Sequence, residues 1–452
     1  MYRRQLENIV EWIRNDKGHA LLVTGARQIG KTYLIREALK QEKCDYVELN
    51  FIENKELIDI FKDYRDVDEL ELRLSLATNK ELKPGKTIFF FDEVQEVKDI
   101  VTMSKFLVEK TKYKYVMSGS LLGIELNDLR SAPVGYMNII DMYPMDLYEF
   151  YKAVGVADNI IEAVHKAFDE RRTVDVFIHD KLMALFNIYL IVGGMPEAVK
   201  TYIETNDLRK VANVQSNIVE LYKKDFSKYN KKEKLILNEV YDAIPGELSE
   251  KNKRYYINHV KGKTTFDSVK NNFIWLSNAG VALPVYNVTE PKSPLQLNEK
   301  RSIFKLFLSD VGLLTNMFPE ETKLMILNND KDINNGAVFE NFVAQELAAH
   351  NNKLYYYNNK SQGEVDFIIE YQGKVLPIEV KSGKDFKKHN ALNNLLGNNN
   401  YRIDEAFILN RTNTSVEGGK VYVPIYMTMF IERTKMNMII KPNLDGLLDG
   451  SS

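Results

Sequence analysis

The sequence predicts an α/β protein in three parts: a parallel sheet flanked by helices over residues 1–150, a mainly helical middle region over 151–330, and a second α/β unit over 331–452. Three observations carry this expectation. Short apolar runs at 19–24, 46–51, 87–91, 113–117 and 137–142 read as strands buried on both faces, and helix-like stretches at 32–42 and 53–77 alternate with them. Helical periodicity takes over at 173–189 and 211–225. The mixed rhythm returns with a helix at 336–350, strands at 353–357, 364–370 and 375–381, a helix at 390–396 and a strand at 405–410.

Composition fits such a protein. The chain has 452 residues, enough for about three domains. With 44% apolar and 11% aromatic residues, and only 23 Gly and 12 Pro, it is neither disordered nor linker-dominated. The 61 basic and 63 acidic residues leave a net charge of −2, which excludes a strongly basic polyanion binder but not a local basic face. One cysteine, Cys44, cannot form an internal disulfide and fits a reducing, cytoplasmic setting. Glu7 and Glu11 break the apolar stretch a signal peptide needs, and no apolar run is long enough to span a membrane; 185–192 stops at Gly193-Gly194. The six histidines (19, 165, 179, 259, 350 and 389) have no close pairing of the kind zinc requires.

The clearest chemistry lies near the N-terminus. Gly25-Ala-Arg-Gln-Ile-Gly-Lys-Thr32 follows an apolar strand and opens a helix. Glycines there let backbone N–H groups curl around phosphate oxygens, and a helix N-terminus adds partial positive charge. Lys31 is expected to reach the β- and γ-phosphates of ATP and Thr32 to offer its hydroxyl to Mg²⁺. Further on, Thr87-Ile-Phe-Phe-Phe-Asp92-Glu93 delivers two carboxylates to a strand end. Asp92 suits Mg²⁺, and Glu93 suits polarising the attacking water. Ser118-Gly-Ser120 closes the next strand; its hydroxyls either sense the γ-phosphate or simply make a turn.

In the middle region the segment 222–234 is strongly basic. The segment 263–280 reads as one helix ending at Gly280, with a strand at 281–288 after it. A helix leading into a strand suits a winged helix-turn-helix, and an ordinary helical linker is the other reading. The basic stretches 223–234 and 251–263 are expected to lie near each other and to offer a surface to nucleic acid.

These motifs resemble a prokaryotic family of AAA-type P-loop ATPases. The G-x-R-Q-x-G-K-T loop, the Phe-Phe-Asp-Glu strand and the Ser-Gly-Ser turn carry the likeness. Gly193-Gly-Met-Pro-Glu-Ala198, Phe307-Leu-Ser-Asp-Val-Gly-Leu-Leu314 and Gly336-Ala-Val-Phe-Glu340 extend it over nearly the whole chain. The resemblance implies an ATPase core, a winged-helix region and a C-terminal domain similar to PD-(D/E)xK nucleases, of restriction-endonuclease-like fold. It implies ATP with Mg²⁺ as ligands, and nucleotide contacts from Gly25, Arg27, Gly30, Lys31, Thr32, Ser118 and Ser120. Relatives usually carry Gly-Arg shortly after the serine turn; here Gly135-Tyr136 stands instead, and Arg130 is the alternative cation. AAA-type relatives often form oligomers, and an unidentified protein partner is also compatible with this family.

The C-terminal part carries Gly363-Glu-Val-Asp366 and Ile378-Glu379-Val-Lys381, separated by twelve residues between Asp366 and Glu379, with Gly373 marking a turn. Two strands joined there would form a hairpin bringing the carboxylates to one end of the sheet, and Glu379 and Lys381 share a face. Such a pair can hold Mg²⁺ or Mn²⁺ while the ammonium stabilises developing phosphorane charge. The pattern resembles the D-x(n)-E-x-K core of the same nucleases, with Glu340 as a further acidic ligand and Val365 where a proline is usual. Two functions follow: an ATPase coupling nucleotide state to engagement, or cleavage, of DNA or other nucleic acid; or a nucleotide-switched regulatory module whose nuclease-like domain cuts nothing. A metabolic kinase is weaker, since no acceptor-binding domain is evident.

Overall fold

The computed structural model describes residues 1–16, 18–78, 80–97, 100–120, 135–226, 231–250, 253–256, 269–330, 335–383 and 387–433, with side chains from residue 234 onward in the segment 231–250. Arg130, and most of the segment 251–268, lie outside the described residues.

After α1 (Gln5–Asn15) come β1 (Ala20–Thr24), α2 (Lys31–Gln41), β2 (Tyr46–Asn50), α3 (Val67–Thr78), β3 (Ile88–Asp92), α4 (Ile100–Lys110), β4 (Lys114–Gly119) and β5 (Met137–Asp141). The strands form one sheet in the order β2-β3-β4-β1-β5, every pair parallel. Alternation along β3 explains why the apolar run at 87–91 is a strand. Phe89 and Phe91 pack with Phe51, Phe61 and Tyr115 on one face, while Phe90 joins Leu21, Leu34 and Val116 on the other. Both faces are covered, as a parallel sheet requires.

The expected helix over 53–77 is divided. A 3₁₀ turn at Lys55–Phe61, begun by Asn54 accepting from the Glu56 N–H, is separated from α3 by a turn with Asp63 at φ 50°. The break lets Phe61 pack edge-on against Phe51 and Phe91, which a continuous helix would not deliver.

The middle region contains α5 (Leu147–Ala153), α6 (Asp158–Asp169), α7 (Val176–Val192), α8 (Pro196–Thr205), α9 (Leu208–Asp225), α10 (Lys231–Ser249) and α11 (Lys270–Asn278). Of the helix expected over 263–280, only its latter half falls among the described residues, as α11. Helix α7 starts where Asp175 accepts from the N–H groups of Phe177 and Ile178, and it stops at Gly193. Pro196 opens α8 in its first turn, where the missing N–H costs no helix bond.

The C-terminal sheet takes in strands that precede residue 330. β6 (Ala282–Val288) and β7 (Glu299–Leu308) precede α12 (Val311–Asn316), α13 (Glu320–Leu327), α14 (Gly336–Ala349), β8 (Tyr355–Asn359), β9 (Gly363–Tyr371), β10 (Lys374–Val380), α15 (Asn390–Leu396), β11 (Ala406–Asn410), β12 (Ser415–Glu417) and β13 (Lys420–Pro424). All eight strands make one mixed sheet, β12-β13-β11-β10-β9-β8-β6-β7. β6 pairs in parallel with β8, so two strands assigned to the middle region extend the C-terminal sheet. Pairing backbone groups at the open edge of β8 outweighs sequence proximity to the helices.

Helix α14 ties the parts together because it is buried nearly all round. Its polar residues therefore need partners. Asn341 brackets Leu308, accepting from its N–H at 2.8 Å and donating to its carbonyl at 3.0 Å; Gln345 donates to Tyr189 Oη at 2.6 Å; Glu346 accepts from the Leu147 N–H at 2.9 Å. Among the described residues, no helix is long and apolar enough to cross a membrane.

Candidate functional site

The loop between β1 and α2 holds the phosphate-loop motif. Gly25 has φ 137°, and a Cβ there would sit 2.3 Å from the Met142 carbonyl oxygen, so only glycine fits. Gly30, at φ 87°, hands the chain into α2. Lys31 Nζ donates to the carbonyls of Gly25 at 3.0 Å and Ala26 at 2.7 Å, across the loop. Burial holds the Lys31 ammonium down to about 8, against the pull of Glu93 and Asp92. A phosphate group in the loop would exchange those two carbonyls for stronger anionic partners.

Asp92 closes β3 beside this loop. Thr32 Oγ1 donates to its carboxylate at 3.0 and 3.1 Å, Asn50 Nδ2 at 2.9 Å, and the Ser118 hydroxyl also donates to it. Burial raises the Asp92 pKa, while the Ser118 and Thr32 hydrogen bonds oppose the shift. A hydroxyl and a carboxylate already in contact beside a phosphate loop are the hard oxygen donors that Mg²⁺ takes, together with phosphate and water. The residues therefore fit the ion, which Thr32 and Asp92 would hold; bound there, it would neutralise phosphate charge. Glu93 follows at φ 58°, a backbone conformation few non-glycine residues adopt, and its carboxylate accepts from Gln95 Nε2 at 2.5 Å.

Glu93, Lys31 and Thr32 face a cavity of about 780 Å³ whose far wall comes from the middle region through Pro196, Lys200 and Leu221. Arg27 lines it as well. Its guanidinium forms an ion pair with Asp225 at 2.9 Å and donates to Ser120 Oγ at 3.3 Å, and the Tyr222 hydroxyl donates to the Arg27 carbonyl at 3.1 Å. Ser118 and Ser120 thus serve Asp92 and Arg27 in this structure. Tyr136 packs its ring against Lys105, 5.3 Å from the ammonium.

Asn50, Asp225 and Lys200 were not anticipated. Asn50 had no local signal: it ends the strand next to β3, and only the register sets it opposite Asp92. Asp225 and Lys200 had none either, since their role depends on how the middle region folds back.

The second constellation sits on the C-terminal sheet. β9 and β10 form the expected hairpin, turning at Gln372 and Gly373, with Ile378 opposite Phe367. Asp366 accepts from the Val380 N–H at 2.8 Å, and Glu379 pairs with Lys381 at 2.8 Å. Glu340 reaches the same place from α14. Burial and the nearby Asp366 push Glu379 up to about 7, against Lys381; burial and Asp366 raise Glu340 as well. The expected metal set Asp366, Glu379 and Glu340 is nevertheless not assembled as one: among the described residues no three Asp, Glu, His or Cys side chains converge to hold an ion. Lysines take up the carboxylates instead. Lys305, on β7 and fully buried, lies 2.7 Å from Glu364, 3.7 Å from Glu340 and 4.0 Å from Asp366, and Lys253 also pairs with Glu340. The expected polyanion surface is reduced by the same pairing. Lys253 turns inward to Glu340 and Lys223 is engaged by Asp242 at 2.6 Å, while the rest of 227–233 and 257–263 lies outside the described side chains.

Residues 17–151 match the family model of an AAA domain, and residues 183–324 and 335–429 match two domains of unknown function, DUF8612 and DUF4143. Comparison with curated proteins gave no match. Among solved structures, the chain is similar to the Walker-type ATPase PABY2304 of Pyrococcus abyssi, at 12% identity and TM-score 0.41, over 70% of this chain and 95% of that one. It is also similar to the ORC1 protein of Aeropyrum pernix in complex with DNA, at 14% identity and TM-score 0.28, over 73% and 91%. The phosphate loop and the acidic strand end both lie within residues 17–151, the part of the chain that is similar to an AAA domain.

Proposed function

We propose that the chain hydrolyses Mg²⁺-ATP and uses its nucleotide state to switch the engagement of a nucleic acid by its middle and C-terminal parts. The observation that carries this is the cavity itself: phosphate-loop residues form one wall and Pro196, Lys200 and Leu221 of the middle region form the other. A nucleotide filling it touches both parts, so binding and release bear on how they sit together. Lys31 binds phosphate, Thr32 and Asp92 hold Mg²⁺, and Glu93 takes the proton of the attacking water. The nucleic-acid half rests on the resemblance to an ATPase family whose members carry a winged-helix region and on the basic composition of 222–234. The regulatory reading is favoured over cleavage by one observation, the lysines from outside the hairpin, Lys253 and Lys305, that pair with Glu340 and Glu364.

The test measures ATP turnover with and without DNA and RNA, in wild type and Lys31→Ala. Turnover stimulated by nucleic acid, and lost in the variant together with ATP binding by calorimetry, is the expected result. Unchanged ATP binding in Lys31→Ala removes the nucleotide site. Turnover indifferent to every nucleic acid, with none retained at low salt, removes the coupling.

A further inference from the structure

Among the described residues, four carboxylates, Glu340, Glu364, Asp366 and Glu379, and three ammonium groups, Lys253, Lys305 and Lys381, gather at the C-terminal hairpin. Each acid already has company. Glu340 is held by Lys253, Glu379 by Lys381, and one Asp366 oxygen accepts the Val380 N–H. The oxygens left over on Glu340 and Asp366 lie 3.7 and 4.0 Å from a single atom, Lys305 Nζ, which is itself 2.7 Å from Glu364.

We propose that Lys305 is the built-in cation of this centre: its ammonium lies among Glu364, Glu340 and Asp366, and the centre takes no divalent ion.

Charge and geometry both argue for it. A divalent ion needs several carboxylate oxygens at about 2.0–2.6 Å; Glu340 Oε2 and Glu379 Oε2 are buried without a hydrogen-bond partner, but among the described residues no three acids converge to hold an ion, and a buried ammonium stands between Glu340 and Asp366. Three lysines already offset all but one of the four carboxylate charges, and a divalent ion would have to displace a buried cation. Lys305 cannot swing away into water, because β7 carries it and its side chain is fully buried. Burial disfavours its charge, yet Glu340, Glu364 and Asp366 together hold it protonated beyond the ordinary lysine range. The lysine comes from a strand outside the hairpin, so the middle of the chain supplies the neutralising group. The consequence reaches beyond the ATPase reading and does not depend on it. Without a bound metal this centre lacks the Lewis acid needed to cut a phosphodiester and serves to hold β7, α14 and the hairpin together.

The test is Mn²⁺ uptake by nucleotide-free full-length protein, followed by electron paramagnetic resonance. Wild type and Asp366→Asn are expected to take up the same amount, whatever the phosphate loop contributes. Lys305→Met, which removes the ammonium at similar volume, is expected to take up one further ion per chain, and Lys305→Met/Asp366→Asn to lose it. Wild-type uptake that Asp366→Asn abolishes overturns the proposal, as does a Lys305→Met protein that is folded by circular dichroism and gains nothing. If Lys305→Met does not fold, the comparison of wild type with Asp366→Asn decides alone.

Discussion

Arg27 in the phosphate loop and Asp225 at the end of α9 form an ion pair at 2.9 Å, with the carboxylate almost wholly buried. The same guanidinium lines the nucleotide cavity. An arriving phosphate would therefore compete with Asp225 for Arg27, and that competition would link nucleotide state to α9. Asp225→Asn keeps the shape and removes the charge. It is expected to tighten ATP about tenfold, the equivalent of ~1.4 kcal/mol, and to abolish the nucleotide-dependent change in hydrogen exchange over residues 208–225. Calorimetry giving an unchanged Kd would show that Arg27 does not move between the two anions.

The nucleotide half of the site was legible in the sequence because phosphate binding needs neighbouring residues on one turn. Gly25 to Thr32 are contiguous, and Asp92 ends an unmistakably apolar strand. Asn50 was hidden because its contact follows from the β2–β3 register, which no local pattern encodes. The acids of the C-terminal hairpin were legible for the same local reason, a turn at Gly373 between two strands. Lys253 and Lys305 were not, since they come from a region read as separate and arrive through the pairing of β6 with β8. Local chemistry was readable, and the partners supplied by long-range pairing were not.

Glu93 sits in a left-handed backbone conformation that costs energy unless the site requires it. Its carboxylate faces the cavity beside Lys31. Glu93→Gln is expected to leave ATP affinity within about twofold while slowing turnover on the order of 10²–10⁴-fold, the range for loss of a general base. Single-turnover measurements separate the two effects. Equal turnover in both proteins would take Glu93 out of the reaction.

Gly194 is fixed by contact, not by its dihedral angle. A Cβ there would lie 2.0 Å from the Met145 carbonyl oxygen, and the Met145 N–H donates to the Gly194 carbonyl at 2.7 Å. Neither backbone can yield without breaking that bond. Gly194→Ala is expected to destabilise the fold by roughly 1–3 kcal/mol, as overpacking does. Thermal or denaturant unfolding reads it directly, and a variant as stable as wild type would mean that the crossing relaxes freely.

Asp310 completes the same crossing. Its carboxylate accepts from the Gly194 N–H at 2.6 Å and the Leu313 N–H at 2.9 Å while fully buried. Burial raises it to about 6, and its backbone hydrogen bonds restrain the rise. The folded pKa thus lies above the unfolded value of about 3.9. The sign follows from linkage: the stability this group contributes is fully present below the unfolded pKa and is lost as pH rises through about 6. Asp310→Asn cannot ionise, and it also turns one acceptor into a donor facing a backbone N–H, so it is less stable than wild type throughout. The gap between the two proteins is expected to be widest near pH 4, to narrow as pH rises through about 6, and to stay level above that. Melting temperatures of both proteins across this range measure it. A gap that does not change with pH would place the titration of Asp310 outside the window and remove burial as its controlling influence.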